Sequence, residues 1–216
     1  MRIALINPNT SASTSGLMME IAAGCAPAGM EFVGMTAAKG APLITDPAAL
    51  AVAAAEVADM ATSLGGFDGA IVAAFGDPGR DGLAVRVRCP VAGIAEAAFA
   101  EADQVSGGRF AVVTITPGLV EAMRASANRY GHGEGLVSIS TTSGDPQALT
   151  ADPAALEQAM ADLVAMEISR NAVRAVIIGG GPLARVARRL APQFPVPIIE
   201  PIPSAVAHLA RLLGGV

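Results

Sequence analysis

The chain of 216 residues contains two copies of one pattern. DPAAL occurs at 46–50 and again at 152–156, and RIALINPNT (2–10) aligns with RFAVVTITP (109–117) at nearly the same offset. DGAIVAA (68–74) and CPVAGI (89–94) also find counterparts, RAVIIGG and FPVPII, about half a chain later. Four matches in one register indicate an internal duplication, and a duplicated chain must fold as two similar units.

Each copy alternates short apolar runs with longer amphipathic ones, which predicts parallel strands covered by helices. Asp-Pro at 46–47 and at 152–153 supplies a helix N-cap followed by proline at the first helical position. We therefore predict an α/β protein of two pseudo-symmetric parallel-sheet domains, 1–107 and 108–216, with the C-terminal helix of the first able to cross to the other. No long linker separates them, so the site is expected in the cleft between them. Strands are expected near 2–6, 31–35, 69–74, 90–94, 109–114, 136–140, 174–179 and 196–199.

Ligands of parallel α/β units bind beyond the carboxyl ends of the strands. Cys25, Cys89 and His132 fall in helix-to-strand connections at the opposite edge, and His208 lies inside the last predicted helix. The usual nucleophiles and bases are therefore expected away from the site. Lys39 lies in a long loop, where a surface position is the expected one.

The strand ends instead deliver hydroxyl, amide and glycine residues, which suit a small anionic or imide-like molecule held by backbone N–H groups. Three successive glycines before Pro182 exceed what a turn requires, whereas Asp77 in its DPG turn is typical of a helix cap. The predicted substrate-binding residues are Asn7, Ala74, Phe75, Gly76, Thr114, Thr116, Gly180, Gly181 and Pro182. Asp77, Thr114, Thr116 and Glu200 remain as candidate catalytic residues.

Composition narrows the function classes. The net charge is −5, and the chain has one tyrosine, no tryptophan and no basic stripe, which argues against nucleic-acid binding. No uncharged run reaches the ~20 residues that span a bilayer, and INPNT comes too early for a signal peptide. We expect a cytoplasmic protein with a small-molecule substrate, no cofactor, no metal and no membrane partner.

Six segments together resemble the aspartate/glutamate/hydantoin racemase superfamily, in particular its hydantoin and allantoin racemase branch. They are INPNTS (6–11), AAFGDPG (73–79), PVAGIAEAA (90–98), VVTITP (112–117), IIGGGPLA (177–184) and PVPIIEPIPSAV (195–206). The resemblance implies two pseudo-symmetric domains and cofactor-independent proton transfer at a carbon beside a carbonyl. The habit of the family and the low charge content favour a homo-oligomer.

The resemblance also implies two cysteines, one from each half, on opposite faces of the reacting carbon. A thiol has an ordinary pKa of ~8.5, which a protein can tune towards neutrality. In this chain the first cysteine position is Ala74 and the second is Gly180. The two-thiol mechanism is therefore expected not to operate here.

Three hypotheses follow. The first is a family isomerase that acts on a small carboxylate or a cyclic ureide without the thiol pair. The second is a lyase, decarboxylase or hydrolase that uses the same anion pocket, because such reactions need charge stabilisation but no base on both faces. The third is a non-catalytic binding protein.

Overall fold

The computed structural model describes residues 1–214 and contains two four-stranded parallel sheets. The sheets have equivalent strand orders, β2-β1-β3-β4 and β6-β5-β7-β8. Ile3 pairs with Gly69 in the first sheet, and their repeat equivalents, Phe110 and Ala175, pair in the second. The predicted pseudo-symmetric α/β architecture is confirmed. The strands are β1 (Arg2–Asn7), β2 (Glu31–Thr36), β3 (Gly69–Val72), β4 (Val91–Gly93), β5 (Phe110–Thr114), β6 (Leu136–Thr141), β7 (Ala175–Ile178) and β8 (Ile198–Ile199).

Helices connect successive strands, as the alternating pattern predicted. They are α1 (Ala12–Cys25), α2 (Pro47–Asp59), α3 (Arg80–Ala84), α4 (Ile94–Ser106), α5 (Val120–Arg129), α6 (Pro146–Ala151), α7 (Pro153–Asn171), α8 (Ala184–Leu190) and α9 (Pro201–Leu212). No helix within residues 1–214 combines the length and the apolar character needed to cross a bilayer.

Aspartates cap the start of the equivalent helices α2 and α7. The Asp46 side chain accepts a hydrogen bond from the Ala49 N–H at 2.9 Å, and Asp152 accepts from Ala154 and Ala155 at 3.1 Å. In each case proline occupies the first turn. These caps satisfy amide groups that have no partner inside the helix, which is why both copies start a helix at Asp-Pro.

Alternation along the strands divides the interior into three apolar layers. Ile3 and Leu5 face a core shared by the two halves, whereas Ala4 and Ile6 face a smaller core beneath α2 and α3. The second sheet has its own outer core, built on Val113, Val176 and helix α7. The shared core contains residues of both sheets, so the halves pack as one unit.

Helices α4 and α9 build the shared core because each leaves its own sheet. Helix α4 follows β4 yet packs against β7 and β5, and α9 follows β8 yet packs against β3 and β4. The two helices also pack against each other. Phe99 of α4 stands between Phe75 and Phe110, with ring centroids 5.4 and 6.2 Å away. Edge-to-face and tilted aromatic pairs of this kind stabilise beyond their buried area.

We expect Leu209→Ala to lower the free energy of unfolding by about 2–5 kcal/mol, because it removes a fully buried side chain of α9 that packs on β3. Leu212→Ala is the matched control on the same helix, where the side chain is 49% exposed, and its cost should be about 0.5 kcal/mol or less. Chemical denaturation of both variants measures the difference. Equal losses would mean that α9 contributes little to the shared core.

Candidate active site

A cavity of about 50 Å³ lies where the inner strands of the two sheets end. Its walls come from the segment after β1, the β3 tip, the β5 tip and the β7 tip. By volume it holds on the order of four water molecules, which restricts a guest to a compact molecule. The lining comprises Asn9, Leu43, Ile44, Leu50, Ala73, Ala74, Phe75, Thr114, Ile115, Thr116, Leu119, Met123, Gly179, Gly180, Gly181, Pro182 and Leu183.

The tips of β3 and β7 meet across this cavity. A β-carbon added to Gly179 would lie 3.1 Å from the Phe75 ring, and one added to Gly181 would lie 3.5 Å from the Ala73 carbonyl. Ala74 and Gly180 line the same cavity, and both are less buried than the residues before them. The two positions at which the resemblance implies cysteines therefore share one small space.

Gly180 has a backbone that a side chain would strain. Its φ is +140° and its ψ is 135°, a combination that glycine adopts but residues with a β-carbon rarely do. Space is not the obstacle, because an added β-carbon would meet only the Leu183 side chain, at 3.5 Å. Glycine is required here by conformation and not by crowding.

Backbone amide groups supply polarity to both walls. Within the described residues, no protein acceptor takes the N–H of Ala74, Phe75, Gly180 or Gly181. Buried amide groups are normally paired, so such groups beside a cavity are available to a ligand. Two come from each half of the molecule.

The polar side chains of the lining are Asn9, Thr114 and Thr116. The Thr114 hydroxyl donates to the Gly179 carbonyl at 2.7 Å and lies 3.3 Å from the Thr116 hydroxyl, which leaves Thr116 the freer of the two. Asn9 accepts at its side-chain oxygen from the Asn7 amide, at 2.9 Å. The Asn7 side-chain amide also donates to the Ser11 carbonyl and to the Ser15 hydroxyl.

Asn7 and Gly76 were predicted to bind substrate, and the structure places neither on the lining. Asn7 is still within β1, and its side chain turns into the hydrogen-bond network that positions Asn9. The Gly76 carbonyl accepts a hydrogen bond from the Ser126 hydroxyl at 3.3 Å. The other predicted substrate-binding residues, Ala74, Phe75, Thr114, Thr116, Gly180, Gly181 and Pro182, all line the cavity.

Asp77, a candidate catalytic residue, is not on the lining either. Its carboxylate accepts from the Ala95 and Glu96 amides at 2.9 and 2.8 Å, so it caps the start of α4 instead of its own helix. The side chain is buried, and desolvation raises the pKa of Asp77 from 3.8 to about 7 despite these hydrogen bonds. The unpaired donors of a helix N-terminus have drawn the carboxylate away from the cavity.

Glu200 also lies away from the cavity. It follows β8, which is an edge strand, and it faces a depression that includes Cys25, with Arg188 3.2 Å from its carboxylate. The cavity is built at the ends of inner strands, and the end of an edge strand does not reach it. Of the four catalytic candidates, only Thr114 and Thr116 line the cavity.

The cysteines do not supply a substitute thiol. Neither Cys25 nor Cys89 lines the cavity, and burial raises the pKa of both thiols, which is the opposite of activation. Lys39 is an exposed residue, 3.8 Å from Glu56. In the part of the chain that the structure describes, no ionisable side chain lines the cavity, and no three His, Cys, Asp or Glu residues come together as metal ligands would.

Sequence reasoning missed the apolar part of the site. Leu43 and Ile44 come from the loop after β2, Leu50 from α2, and Leu119 and Met123 from the start of α5. The search for polar residues at strand ends passes over such side chains. The signal that was available is the apolar pair Leu43-Ile44 in a loop that is otherwise polar or small.

Comparisons with known proteins agree with this architecture. The model of the family described as Asp/Glu/Hydantoin racemase matches residues 3–209. A hydantoin racemase of Paenarthrobacter aurescens is 25% identical over 95% of this chain and 88% of its own. An allantoin racemase structure from Klebsiella pneumoniae is 28% identical with a TM-score of 0.93, covering 99% of this chain and 88% of that one. The allantoin racemase of Pseudomonas fluorescens has the same identity and TM-score, over 100% and 92%.

Asp77 should make stability depend on pH. Because its folded-state pKa is about 7 and its ordinary value is 3.8, the folded protein keeps a proton that the unfolded chain releases. Raising the pH from 4 to 7 then favours unfolding, by about 3 kcal/mol from this group. The stability of the wild type relative to Asp77→Asn should fall across this range, as measured by urea denaturation at several pH values. Asparagine does not titrate and tolerates the positive φ of 53° at this position.

Asp59→Asn, at an exposed position near the end of α2, is the matched control for this experiment. The stability of the wild type relative to Asp59→Asn should not fall in the same way between pH 4 and 7. A flat difference between the wild type and Asp77→Asn would contradict the raised pKa.

Proposed function

Because the chain belongs to the Asp/Glu/hydantoin racemase family and is an enzyme of the racemase and isomerase type, we propose that it acts on a small cyclic ureide of the hydantoin or allantoin class. In this proposal the reaction is cofactor-independent exchange and inversion at the ring carbon beside a carbonyl. No thiol takes part.

The observation that carries the proposal is the pairing of the β3 and β7 tips around one cavity. Each tip contributes amide N–H groups without a protein acceptor, and the Thr116 hydroxyl lies between the walls. A ureide ring is compact, planar and rich in carbonyl oxygens, and such oxygens are acceptors for these donors. The apolar residues Leu43, Ile44 and Met123 exclude water around the remaining ring surface.

Loss of the proton beside a carbonyl leaves its electron pair delocalised onto the carbonyl oxygen as an enolate. Amide donors directed at that oxygen stabilise the developing charge, and they are most effective where water is excluded. Removal of one such donor in other enzymes typically costs ~10²–10³ in rate. In this proposal the protein lowers the reaction barrier mainly by stabilising charge on the carbonyl oxygen, and not by transferring a proton at the carbon.

Proton transfer at the carbon has a different source here. Ala74 and Gly180 stand where the resemblance implies the acid and the base, and neither side chain exchanges a proton. The nearby hydroxyls of Thr114 and Thr116 are weak bases. We therefore assign the proton transfer to water or hydroxide within the cavity, with reprotonation on the opposite face giving inversion.

Decarboxylation is the second candidate, and the apolar wall favours it. A carboxylate placed against Leu43, Ile44 and Leu50 loses its hydration, and its departure as carbon dioxide produces the enolate without any base. This reaction needs only the amide donors and one proton from water. It would act on a small carboxylate and not on a neutral ureide.

We expect the wild type to exchange the ring C5 hydrogen of a 5-substituted hydantoin for deuterium faster than buffer alone. Because hydroxide or water is the base, the rate for a substrate methylated at ring N3, which lacks the acidic imide proton of the ring, should rise with pH without the inflection near pH ~8.5 that a thiol gives. Alkylation of Cys25 and Cys89 with iodoacetamide should leave the rate unchanged, since neither lines the cavity. Proton NMR in deuterium oxide measures the exchange rate, its dependence on pH and the effect of alkylation.

The protein-free reaction is the control at each pH, because hydantoins exchange slowly in alkali. No exchange above this control, together with carbon dioxide release from a small malonate-type acid, would favour the second candidate. Ligand binding with neither reaction would leave only the binding protein.

Restoring the thiols tests the geometry directly. The double variant Ala74→Cys/Gly180→Cys should exchange the C5 hydrogen at least ~10²-fold faster than the wild type, because a positioned acid–base group contributes ~10²–10⁴. The new activity should titrate with a thiol and be abolished by iodoacetamide. Cysteine at 180 should also lower stability by about 1–3 kcal/mol, given the φ of +140°.

The matched control is Ala74→Ser/Gly180→Ser, which has the same backbone strain and similar volume but no group that titrates near neutrality. It should show the stability loss without the rate increase. If the cysteine and serine variants exchange at the same rate, positions 74 and 180 do not flank the reacting carbon.

A further inference from the structure

The turn after β3 has an uncommon backbone. Gly76, Asp77 and Gly79 have positive φ angles, of 104°, 53° and 75°. Glycine adopts such angles freely, but an aspartate at positive φ is strained and needs contacts that hold it there. The same turn carries the Ala74 and Phe75 N–H groups, for which the described residues supply no acceptor. The contacts that hold Asp77 therefore bear on the direction of these two donors.

The Asp77 side chain ties the turn to α4. The N-cap of this helix is Gly93, which has no side chain to offer to the free amide groups of the first helical turn. The Asp77 carboxylate takes that role from a distant point of the chain, through its hydrogen bonds from the Ala95 and Glu96 amides. A β-carbon added to Gly93 would overlap this carboxylate. The glycine at the N-cap and the aspartate in the turn thus belong to one arrangement.

The tie reaches the cavity through a short hydrogen-bonded turn. The Asp77 N–H donates to the Ala74 carbonyl at 3.0 Å. Phe75, between these two residues, packs on Phe99, with ring centroids 5.4 Å apart. Phe99 lies about one helical turn after Ala95 on α4. Helix α4 therefore holds the turn at two points on one face, and release of the Asp77 carboxylate would free one of them.

We propose that Asp77 is a positioning residue for the proposed reaction: its carboxylate fixes the turn after β3 so that the Ala74 and Phe75 N–H groups point at the developing oxyanion. This inference rests on the proposed function, which makes these amides the donors to that oxygen. An ionised carboxylate accepts hydrogen bonds at both oxygens, whereas protonation turns one of its oxygens into a donor. The ionised form therefore holds α4 at two amide groups and the protonated form at one.

The surroundings of Asp77 decide when it ionises. Burial is the main cause of its raised pKa of about 7, to which the charge of Glu96 on α4 adds, while the amide groups and the Tyr130 hydroxyl after α5 oppose the rise. Arg80 is paired with both Asp81 and Glu96. The charged or titratable groups on the surrounding helices, besides Glu96, are Arg80 and Asp81 of α3, Arg129 of α5 and His208 of α9. Asp77 accordingly becomes a two-amide acceptor as the pH rises through about 7.

The pH profile of Asp77→Asn tests the positioning role. Asparagine has one acceptor oxygen, so it corresponds to the protonated aspartate at every pH. For a 5-substituted hydantoin methylated at ring N3, kcat/KM of the two proteins should agree within about twofold at pH 5.5. At pH 9 the wild type should be about three- to tenfold faster, chiefly in kcat, because the donors act on the transition state. Deuterium exchange followed by proton NMR measures both.

Asp152→Asn is the matched control, because Asp152 caps α7 and does not line the cavity. Its rate relative to the wild type should not change between these pH values. A constant ratio of wild type to Asp77→Asn across the same range would overturn the positioning role while the proposed function stands. If the wild type exchanges no faster than the protein-free control, both are overturned.

A second pair of variants separates positioning from helix capping. Asp77→Gly removes the carboxylate and suits the positive φ. Adding Gly93→Ser gives α4 a cap of its own, since position 93 already has the extended backbone of an N-cap, with φ −105° and ψ 147°. The double variant should regain the urea midpoint that Asp77→Gly loses, but not the rate at pH 9. Recovery of both would mean that Asp77 only caps the helix.

Discussion

The shared core between the two sheets is the constraint on which the site depends. Helices α4 and α9 each cover strands of the opposite half, so neither half buries its inner face alone. Phe99 on α4 joins Phe75, beside the cavity, to Phe110 in the second sheet. Because packed interiors resist small displacements, this arrangement fixes the distance between the β3 and β7 tips. The walls of the cavity are therefore positioned by the core and not by a flexible interface.

Position within the sheet decides which strand ends reach the cavity. The ends of the inner strands β1, β3, β5 and β7 surround it, whereas β8 lies at an edge and carries Glu200 away. The turn after β8 is too short to bring Glu200 back to the cavity. Strand β2 also lies at an edge, but the loop that follows it is long enough to bring Leu43 and Ile44 over the cavity.

The duplication and the strand-end rule predicted much of this from the sequence. Two copies in register imply two equivalent sheets, and parallel strands place Ala74, Thr114 and Gly180 at one edge. Side-chain direction was not predictable in this way. Asp77 sits at the right edge, but the unpaired amides of α4 hold its carboxylate, and α4 starts 17 residues later in the chain. Contacts of this range, and the loop path of Leu43, depend on tertiary packing that a local pattern does not encode.

The backbone conformation at Gly180 bears on one of the two positions where the resemblance implies a thiol. A residue with a side chain at this position would favour a negative φ, and a change of φ would turn the neighbouring amide groups. The present conformation leaves the Gly180 and Gly181 N–H groups unpaired beside the cavity. The turn after β7 would therefore need one conformation to present a side chain at position 180 to the cavity, and it needs another to present backbone N–H groups. Under the proposed function, this glycine therefore favours stabilisation of an oxyanion by amide groups over proton transfer by a side chain.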